Sequence, residues 1–266
     1  MNESSKVLIV LMGLPSSGKS TIARLLSKEL SEKYGILNVV IGTDDVRRLI
    51  PRQLEQFDPN LEPFIKDLTL NIIQFCLKNN YSVINDDMNY YKSMRHELKQ
   101  IAEENRAHFV LIYILINLET ALKWNENRGL PIPPEVIQKV YSRLDPPGDY
   151  KWDTPLLTIQ STEISPELAV KKIISKLLPI LNTPFISPDL STPIKPSKRE
   201  KFDKITRNVV TNFAKTYRDP ILLKKISNFR INYLKNLTDD NISEDILRND
   251  FSQKLNAFIL KIRQDE

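Results

Sequence analysis

The eight residues GLPSSGKS, positions 13–20, constrain this chain more than any other stretch of it. They match the pattern G-x-x-x-x-G-K-[ST], in which the glycines let backbone amides turn inward around phosphate oxygens. The aliphatic run KVLIVLM precedes them, and STIARLLSKELSEK, with apolar residues at helical spacing, follows. A strand, a glycine-rich turn and a helix in this order are the context that the pattern requires. The sequence therefore predicts a phosphate-binding loop (P-loop).

The predicted loop implies a nucleotide site and gives its residues roles. Lys19 is expected to carry the charge that reaches the terminal phosphates, and the Ser20 hydroxyl is expected to ligate Mg²⁺. ATP with Mg²⁺ is the expected nucleotide. The residues predicted to bind it are Gly13, Leu14, Pro15, Ser16, Ser17, Gly18, Lys19, Ser20 and Thr21.

Short apolar runs alternate with helical patterns up to about residue 180. The runs are ILNVVIG, YSVIND, HFVLIYILI and PLLTIQ, and helical stretches lie at 61–79, 92–105 and 165–180. Alternation of this kind predicts a doubly wound α/β domain with a parallel sheet, the P-loop NTPase and kinase class.

Two of these runs end in paired carboxylates. Asp86 and Asp87 close one, and in P-loop enzymes an acidic residue at a neighbouring strand end holds the magnesium shell. Asp44 and Asp45 close another, where an aspartate can orient or deprotonate an acceptor hydroxyl. We predict Ser20, Asp44 and Asp86 as metal ligands. The alternatives are an acidic turn at Asp86 and a helix cap at Asp44, a role that is compatible with catalysis.

The segment NENRGLPIPPEVIQKVYSRLD, 125–145, places Arg128 just before a glycine–proline break and a helix. A mobile lid bearing an arginine would supply transition-state charge and exclude water from the phosphates. The alternative is a surface loop with incidental arginines.

Beyond residue 198 the pattern becomes purely helical. ITRNVVTNFAKTY, DPILLKKISNFRINYLKNL and SEDILRNDFSQKLNAFILKIR place apolar residues at steps of three and four. Asp219 before Pro220, and Ser243 before Glu244 and Asp245, predict helix starts. The prolines at 179, 184, 188, 193 and 196 predict a semi-extended linker. We therefore expect an α/β domain at 1–180, a Pro-rich linker at 181–198 and a small all-helical domain at 199–266.

The basic charge of the chain is concentrated in this helical part. Residues 198–235 carry 11 Lys and Arg against 3 Asp and Glu, a net charge of +8, whereas residues 1–197 carry 23 of each sign. Such a segment indicates a polyanionic partner. The alternative is a solvated lysine-rich helix face.

Location and association are less constrained. The apolar run Val7–Met12 is too short to span a bilayer, so we expect no membrane association. The single cysteine, Cys76, excludes an internal disulfide, and the cytoplasm is the default location. Whether the chain forms a homodimer is left open.

The stretches GLPSSGKS, GTDDVR, NDDMNYYKSMRHEL and PPEVIQKVYSRLDPPGDYKWDTPLL together resemble the archaeal O-phosphoseryl-tRNA(Sec) kinase family. The tail from FDKITRNVV onward resembles that family's C-terminal domain, so the likeness covers most of the chain and is weakest at 181–198. It implies ATP-dependent phosphorylation of the seryl hydroxyl of Ser-tRNA(Sec), giving O-phosphoseryl-tRNA(Sec) in selenocysteine biosynthesis. It also implies that seryl-tRNA(Sec) binds through the basic helical tail, 199–266.

The resemblance also assigns residues. It gives Lys19 and Ser20 the P-loop roles, has Asp44 activate the seryl hydroxyl, and makes Arg128 the lid arginine. The catalytic set that it implies is Asp44, Lys19, Arg47 and Arg128. The family lid carries a second arginine four residues earlier, where this chain has Trp124. Lys123 beside it lacks the bidentate fork of a guanidinium.

The N-terminal half is also similar to the Elongator-associated P-loop ATPases, which share the KWDTPLL element. This resemblance implies the alternative function of a tRNA-stimulated regulatory ATPase in tRNA modification. The NDDMNYYKSMR stretch and the short basic tail favour the kinase. A small-metabolite kinase would leave the tail unexplained.

Overall fold

The chain forms two compact units, Met1–Pro188 and Asp189–Glu266. The structure is a computed structural model that describes residues 5–51, 58–186, 198–216, 220–237 and 242–264. Most of the predicted linker, residues 187–197, lies outside the described residues, and so does the predicted helix start Asp219.

A parallel sheet forms the centre of the first unit. Its strands are β1 (Val7–Met12), β2 (Asn38–Ile41), β3 (Ser82–Asp86), β4 (His108–Leu115) and β5 (Leu157–Gln160), in the order β2-β3-β1-β4-β5. All six residues of β1 are buried, as a continuous aliphatic run in a central parallel strand requires. β1 pairs with β3 on one side and β4 on the other, so their carboxyl ends meet at one edge. The predicted parallel α/β fold is confirmed.

Helices cover both faces of this sheet. Val7, Ile9 and Leu11 of β1 pack with α1 (Lys19–Tyr34) and with α7 (Pro166–Leu181). The residues of β1 that face the other side, Leu8, Val10 and Met12, pack with α2 (Thr43–Arg48), α3 (Glu62–Lys78) and α4 (Lys92–Glu104). Two further helices, α5 (Leu118–Asn127) and α6 (Pro134–Arg143), follow β4. Short 3₁₀ turns lie at Pro59–Leu61 and Lys151–Asp153.

Pro179 lies in the last turn of α7, within the helical stretch predicted at 165–180, although it was also counted among the prolines that predict the linker. α7 continues to Leu181 because Leu177 and Leu181 are buried against the sheet. This packing outweighs the local cost of a proline near a helix end. The Thr183 hydroxyl donates a hydrogen bond to the Pro179 carbonyl oxygen at 2.9 Å, which satisfies one of the terminal carbonyls.

The second unit consists of helices in its described part: α8 (Lys198–Thr216), α9 (Pro220–Lys235) and α10 (Glu244–Gln264). Their apolar faces meet in a core of Val209, Leu222, Ile226, Phe251, Leu255 and Ile259. α10 starts at the predicted position, where the Ser243 hydroxyl accepts the Ile246 N–H at 3.4 Å. The prediction of a helical C-terminal region is confirmed. Among the described helices of the chain, none is long and apolar enough to cross a membrane.

Candidate active site

The GLPSSGKS segment connects β1 to α1 and is held by both neighbours of β1. A Cβ atom at Gly13 would lie 2.3 Å from the carbonyl oxygen of Ile114 on β4, so glycine is required there. The Gly13 N–H donates to the Met88 carbonyl oxygen, just after β3, at 3.1 Å. Gly18, at φ 94°, has the left-handed conformation that glycine favours and starts α1. The residues present therefore fit a phosphate cradle at a helix amino terminus.

Lys19 is buried within this loop. Its Nζ donates to the carbonyl oxygens of Gly13 at 3.0 Å and Leu14 at 2.7 Å. Burial lowers the pKa of Lys19 to about 8, although the carboxylates of Asp86, Asp87 and Asp44 act in the opposite direction. An anionic phosphate near this ammonium would restore the charged form, so the site favours an anion.

Asp86, at the end of β3, lies near the Ser20 hydroxyl on the first turn of α1. Burial raises the pKa of Asp86, although Ser20 and Lys19 stabilise its charged form. Two of the three predicted metal ligands thus lie near each other. Within the described residues, no group of three or more His, Cys, Asp or Glu side chains is placed to hold a metal ion. Mg²⁺ commonly binds through one or two carboxylates together with substrate phosphates, and the Ser20–Asp86 pair fits that type of site.

Two of the other three aspartates at this edge, Asp87 and Asp45, make structural hydrogen bonds. The Asp87 carboxylate accepts the N–H groups of Thr43 at 3.1 Å and Met88 at 2.8 Å, and so ties the ends of β2 and β3 together. The Asp45 carboxylate accepts the Gly42 N–H at 2.9 Å and caps α2. The helix cap considered for Asp44 is therefore made by Asp45.

Asp44 lies on the first turn of α2 with 77% of its side chain exposed, and it forms an ion pair with Arg47. Arg47 also binds Glu62 of α3 in a bidentate pair, at 3.1 Å from Nε to Oε1 and 2.8 Å from Nη2 to Oε2. The two predicted residues are thus in contact, and Arg47 is anchored by a partner that the sequence analysis missed. Glu62 is 15 residues from Arg47 and carries no motif signal of its own.

The predicted lid comprises the end of α5, a short loop and α6. Arg128 is the C-cap residue of α5 and is exposed. Trp124 is half-buried against a cluster that includes Leu14 of the P-loop and Ile137 of α6. Trp124 therefore packs the lid against the P-loop, whereas Lys123 is exposed.

A buried ion pair holds the loop that follows β3. Arg95 on α4 and Asp153 are both 0% exposed, with Nε to Oδ1 at 2.6 Å and Nη2 to Oδ2 at 2.8 Å. Arg95 Nη1 donates to the carbonyl oxygens of Asn89 at 3.0 Å and Tyr90 at 3.3 Å. The Asn89 side chain in turn donates to the Leu11 carbonyl oxygen on β1 at 2.7 Å. The NDDMNYYKSMR and KWDTPLL stretches therefore meet through a contact to which the sequence analysis assigned no role.

Comparison with known proteins gives both relationships suggested by the motifs. The family model for chromatin associated protein KTI12 matches residues 7–256. The L-seryl-tRNA(Sec) kinase of Methanococcus maripaludis is 36% identical over 260 residues, which are 94% of this chain and 98% of that protein. The resemblance to the archaeal kinases is confirmed.

Two further relatives carry the KTI12 name. Protein kti12 of Schizosaccharomyces pombe is 28% identical over 214 residues, 76% of this chain and 74% of that protein. The crystal structure of Chaetomium thermophilum Kti12 in complex with ADP-AlF3 has a TM-score of 0.55 and 24% identity, covering 66% of this chain and 100% of that one. The structural likeness, at this identity, shows a shared fold.

Proposed function

The chain belongs to the KTI12 family, and within that family we propose that it is an ATP-dependent kinase that phosphorylates the seryl hydroxyl of Ser-tRNA(Sec). The observation that carries the proposal is the extent of the match to the M. maripaludis L-seryl-tRNA(Sec) kinase, 94% of this chain and 98% of that protein. The yeast kti12 protein matches a smaller share of this chain, 76%, at lower identity.

ATP would be held by Lys19, whose Nζ lies inside the loop, and by backbone N–H groups of the P-loop. Gly13 and Pro15 are not among those donors, because the Gly13 N–H donates to Met88 and proline has no N–H. Mg²⁺, held through Ser20 and Asp86, would offset the charge that develops on the phosphates. The exposed Arg128 would contribute charge from the lid side and help to exclude water.

In the transfer step the seryl oxygen bonds to the γ-phosphorus, while the bond between that phosphorus and the β–γ bridging oxygen breaks and ADP leaves. The seryl proton passes to the Asp44 carboxylate. Asp44 suits this role because it is exposed to an incoming substrate and Arg47 lies beside it. Arg47 is held by Glu62, so its guanidinium has a fixed position from which to orient Asp44.

The tRNA would bind through the helical tail, 199–266. The support is electrostatic, because residues 198–235 have a net charge of +8, whereas residues 1–197 have a net charge of zero. RNA helices are recognised mainly by shape and phosphate, which suits a basic helical surface without a base-reading motif. A tRNA substrate and a chain with one cysteine also favour the cytoplasm as the location.

The test is transfer from γ-labelled ATP to a panel of seryl-tRNA(Sec), seryl-tRNA(Ser) and uncharged tRNA(Sec). The proposal expects a labelled, base-labile product with seryl-tRNA(Sec), and none with uncharged tRNA(Sec). Equal labelling of both seryl-tRNAs would remove the specificity for tRNA(Sec), and labelling of neither would remove the kinase function.

A second candidate is a regulatory ATPase of the Elongator-associated type, favoured by the KTI12 family model and the kti12 relative. Such a protein would hydrolyse ATP faster in the presence of uncharged tRNA without labelling it. The same assay, with phosphate release measured beside transfer, separates the two functions.

A further inference from the structure

Asn125, in the last turn of α5, has a fully buried side-chain amide that closes the lid loop. Its Nδ2 donates to the Ile132 carbonyl oxygen at 2.6 Å, and its Oδ1 accepts the Ile132 N–H at 3.3 Å. The orientation of the amide is fixed, since one backbone residue supplies both the acceptor and the donor. The backbone carbonyl oxygen of Asn125 also accepts the Leu130 N–H at 3.0 Å. Residues 125–132 thus form a closed ring, and Arg128 lies on it.

The same amide reaches the P-loop. The Ser16 hydroxyl donates to Asn125 Oδ1 at 3.4 Å, a long hydrogen bond between two buried residues. Ser16 has φ 61°, so a non-glycine residue holds a left-handed conformation at this point of the loop. Leu14 packs nearby with Ile137 and Trp124 of the lid segment. The lid therefore touches the P-loop at two residues, and the polar contact runs through Asn125.

From this arrangement we propose that Asn125 is a positioning residue, which fixes the ring that carries Arg128 relative to the P-loop. The inference rests on the proposed transfer reaction. P-loop backbone amides can bind ATP without the ring in place, but a displaced ring leaves the γ-phosphate open to water. Phosphoryl transfer to water instead of the seryl hydroxyl breaks the same bond and releases ADP and inorganic phosphate. Loss of Asn125 should therefore change the partition between acceptors more than the affinity for ATP.

The first test compares Asn125→Ala with Asn117→Ala. Asn125 lies in the last turn of α5, and Asn117 is the residue that precedes its first turn. Asn117 caps the other end of the helix by accepting the Thr120 N–H, and nothing described links it to the P-loop. We expect Asn125→Ala to lower transfer to seryl-tRNA(Sec) by about 10-fold or more and to raise the ratio of phosphate release to transfer. Asn117→Ala should lower the Tm and leave that ratio unchanged. An unchanged ratio in Asn125→Ala, or the same change in Asn117→Ala, would overturn the proposal.

A double-variant cycle tests the link itself. Ser16→Ala removes the P-loop end of the bond and leaves the Asn125–Ile132 ring intact. If the two residues act through one contact, the double variant should show a partition ratio close to that of Asn125→Ala alone. Effects that multiply would show that the residues act separately and would overturn the link.

A fluorescence measurement keeps the inference separable from the proposed function. Trp124 and Trp152 are the two tryptophans of the chain, so Trp152→Phe leaves Trp124, next to Asn125, as the reporter. We expect AMPPNP to change Trp124 emission in this background and the change to be lost when Asn125→Ala is added, with AMPPNP still bound. If wild-type protein transfers nothing to seryl-tRNA(Sec), the proposed function fails while this result still decides the role of Asn125. An AMPPNP response that survives Asn125→Ala would overturn the inference.

Discussion

Lys19 acquires its chemistry from where its ammonium lies. It is buried among loop carbonyl oxygens, and its pKa falls to about 8 even though three carboxylates act to raise it. At pH 7 the side chain is mostly protonated and able to meet a phosphate. Because a pKa of about 8 is close to neutral pH, moderately alkaline conditions deprotonate Lys19.

The value of kcat/KM for ATP should therefore depend on pH. The charged form of Lys19 exists below its pKa of about 8 and is lost above it. We expect a level profile from about pH 6.5 to 7.5 and a fall that approaches tenfold per pH unit beyond about pH 8.5. In Lys19→Arg the guanidinium stays charged, so the residual activity of that variant should lack this alkaline limb. A wild-type profile that stays level through pH 9 would show that Lys19 is not the group that limits binding.

Asp44 and Asp45 are adjacent aspartates with different surroundings, which allows a matched comparison. Asp44→Asn should retain ATP binding and lose transfer by roughly 100-fold or more, because the amide cannot accept the seryl proton. Asp45→Asn should transfer at near wild-type rate, since the amide oxygen of asparagine can also accept the Gly42 N–H. Single-turnover transfer with seryl-tRNA(Sec) measures both. If Asp45→Asn falls as far as Asp44→Asn, the loss reflects the position of α2 and not a proton acceptor.

At the scale of elements, the loop after β3, the strand that carries Asp86, contacts the P-loop through the hydrogen bond from the Gly13 N–H to the Met88 carbonyl oxygen. Arg95 holds this loop in place. Its side chain is completely buried, and it donates to Asp153 and to two carbonyl oxygens of the loop. The pair thus orders an irregular segment, in addition to joining α4 to the 3₁₀ turn at Lys151–Asp153.

Breaking this pair from one side should be costly. Asp153→Ala leaves a buried guanidinium without its carboxylate, and we expect the free energy of unfolding to fall by about 3–5 kcal/mol. The exposed pair Lys66–Glu97, at 2.7 Å, is the control, since Glu97→Ala should cost no more than about 1 kcal/mol. Urea unfolding measures both.

The double variant Arg95→Met/Asp153→Leu separates stability from loop order. An apolar pair of similar volume should recover most of the lost stability. Transfer should stay impaired, because methionine cannot donate to the carbonyl oxygens of Asn89 and Tyr90. Full recovery of transfer would show that the ion pair serves stability alone.

Sequence reasoning succeeded where the signal is local. The strands follow from aliphatic runs, and the P-loop follows from glycines at fixed spacing. Three side-chain contacts gave no such signal: Arg47 with Glu62, Arg95 with Asp153, and Asn125 with Ile132. The first two join residues that the fold brings together from 15 and 58 positions apart, and the third closes a short loop that no sequence motif marks. Pro179 is helical, as the stretch predicted at 165–180 has it, because its neighbours are buried against the sheet and this burial outweighs the local effect of the proline.

At the scale of the whole molecule, charge and nucleotide chemistry lie in different units. A chain that ends at Pro188 should keep its ATP affinity and lose most of its tRNA affinity, because it lacks the segment with a net charge of +8. If the full chain contacts about five phosphates, the logarithm of its tRNA affinity should fall with the logarithm of salt concentration with a slope of about −4. Binding of both forms over a salt series is the measurement, with ATP binding as the folding control. Equal tRNA affinities, or a flat salt response, would assign the tail a structural role.

The central place of β1 also governs the order in which the chain can acquire its pocket during translation. Leu8 pairs with Val83, and Val7 pairs with His108, so the strand before the P-loop gains its neighbours only after long stretches of further synthesis. Ile114, whose carbonyl oxygen lies close to Gly13, is synthesised about a hundred residues after Gly13. The aliphatic β1 segment of a nascent chain is therefore exposed, and prone to aggregation, for seconds before the nucleotide-binding cleft forms. ATP can stabilise this chain only late, once β4 has docked, and it then favours the correctly paired sheet over misfolded competitors.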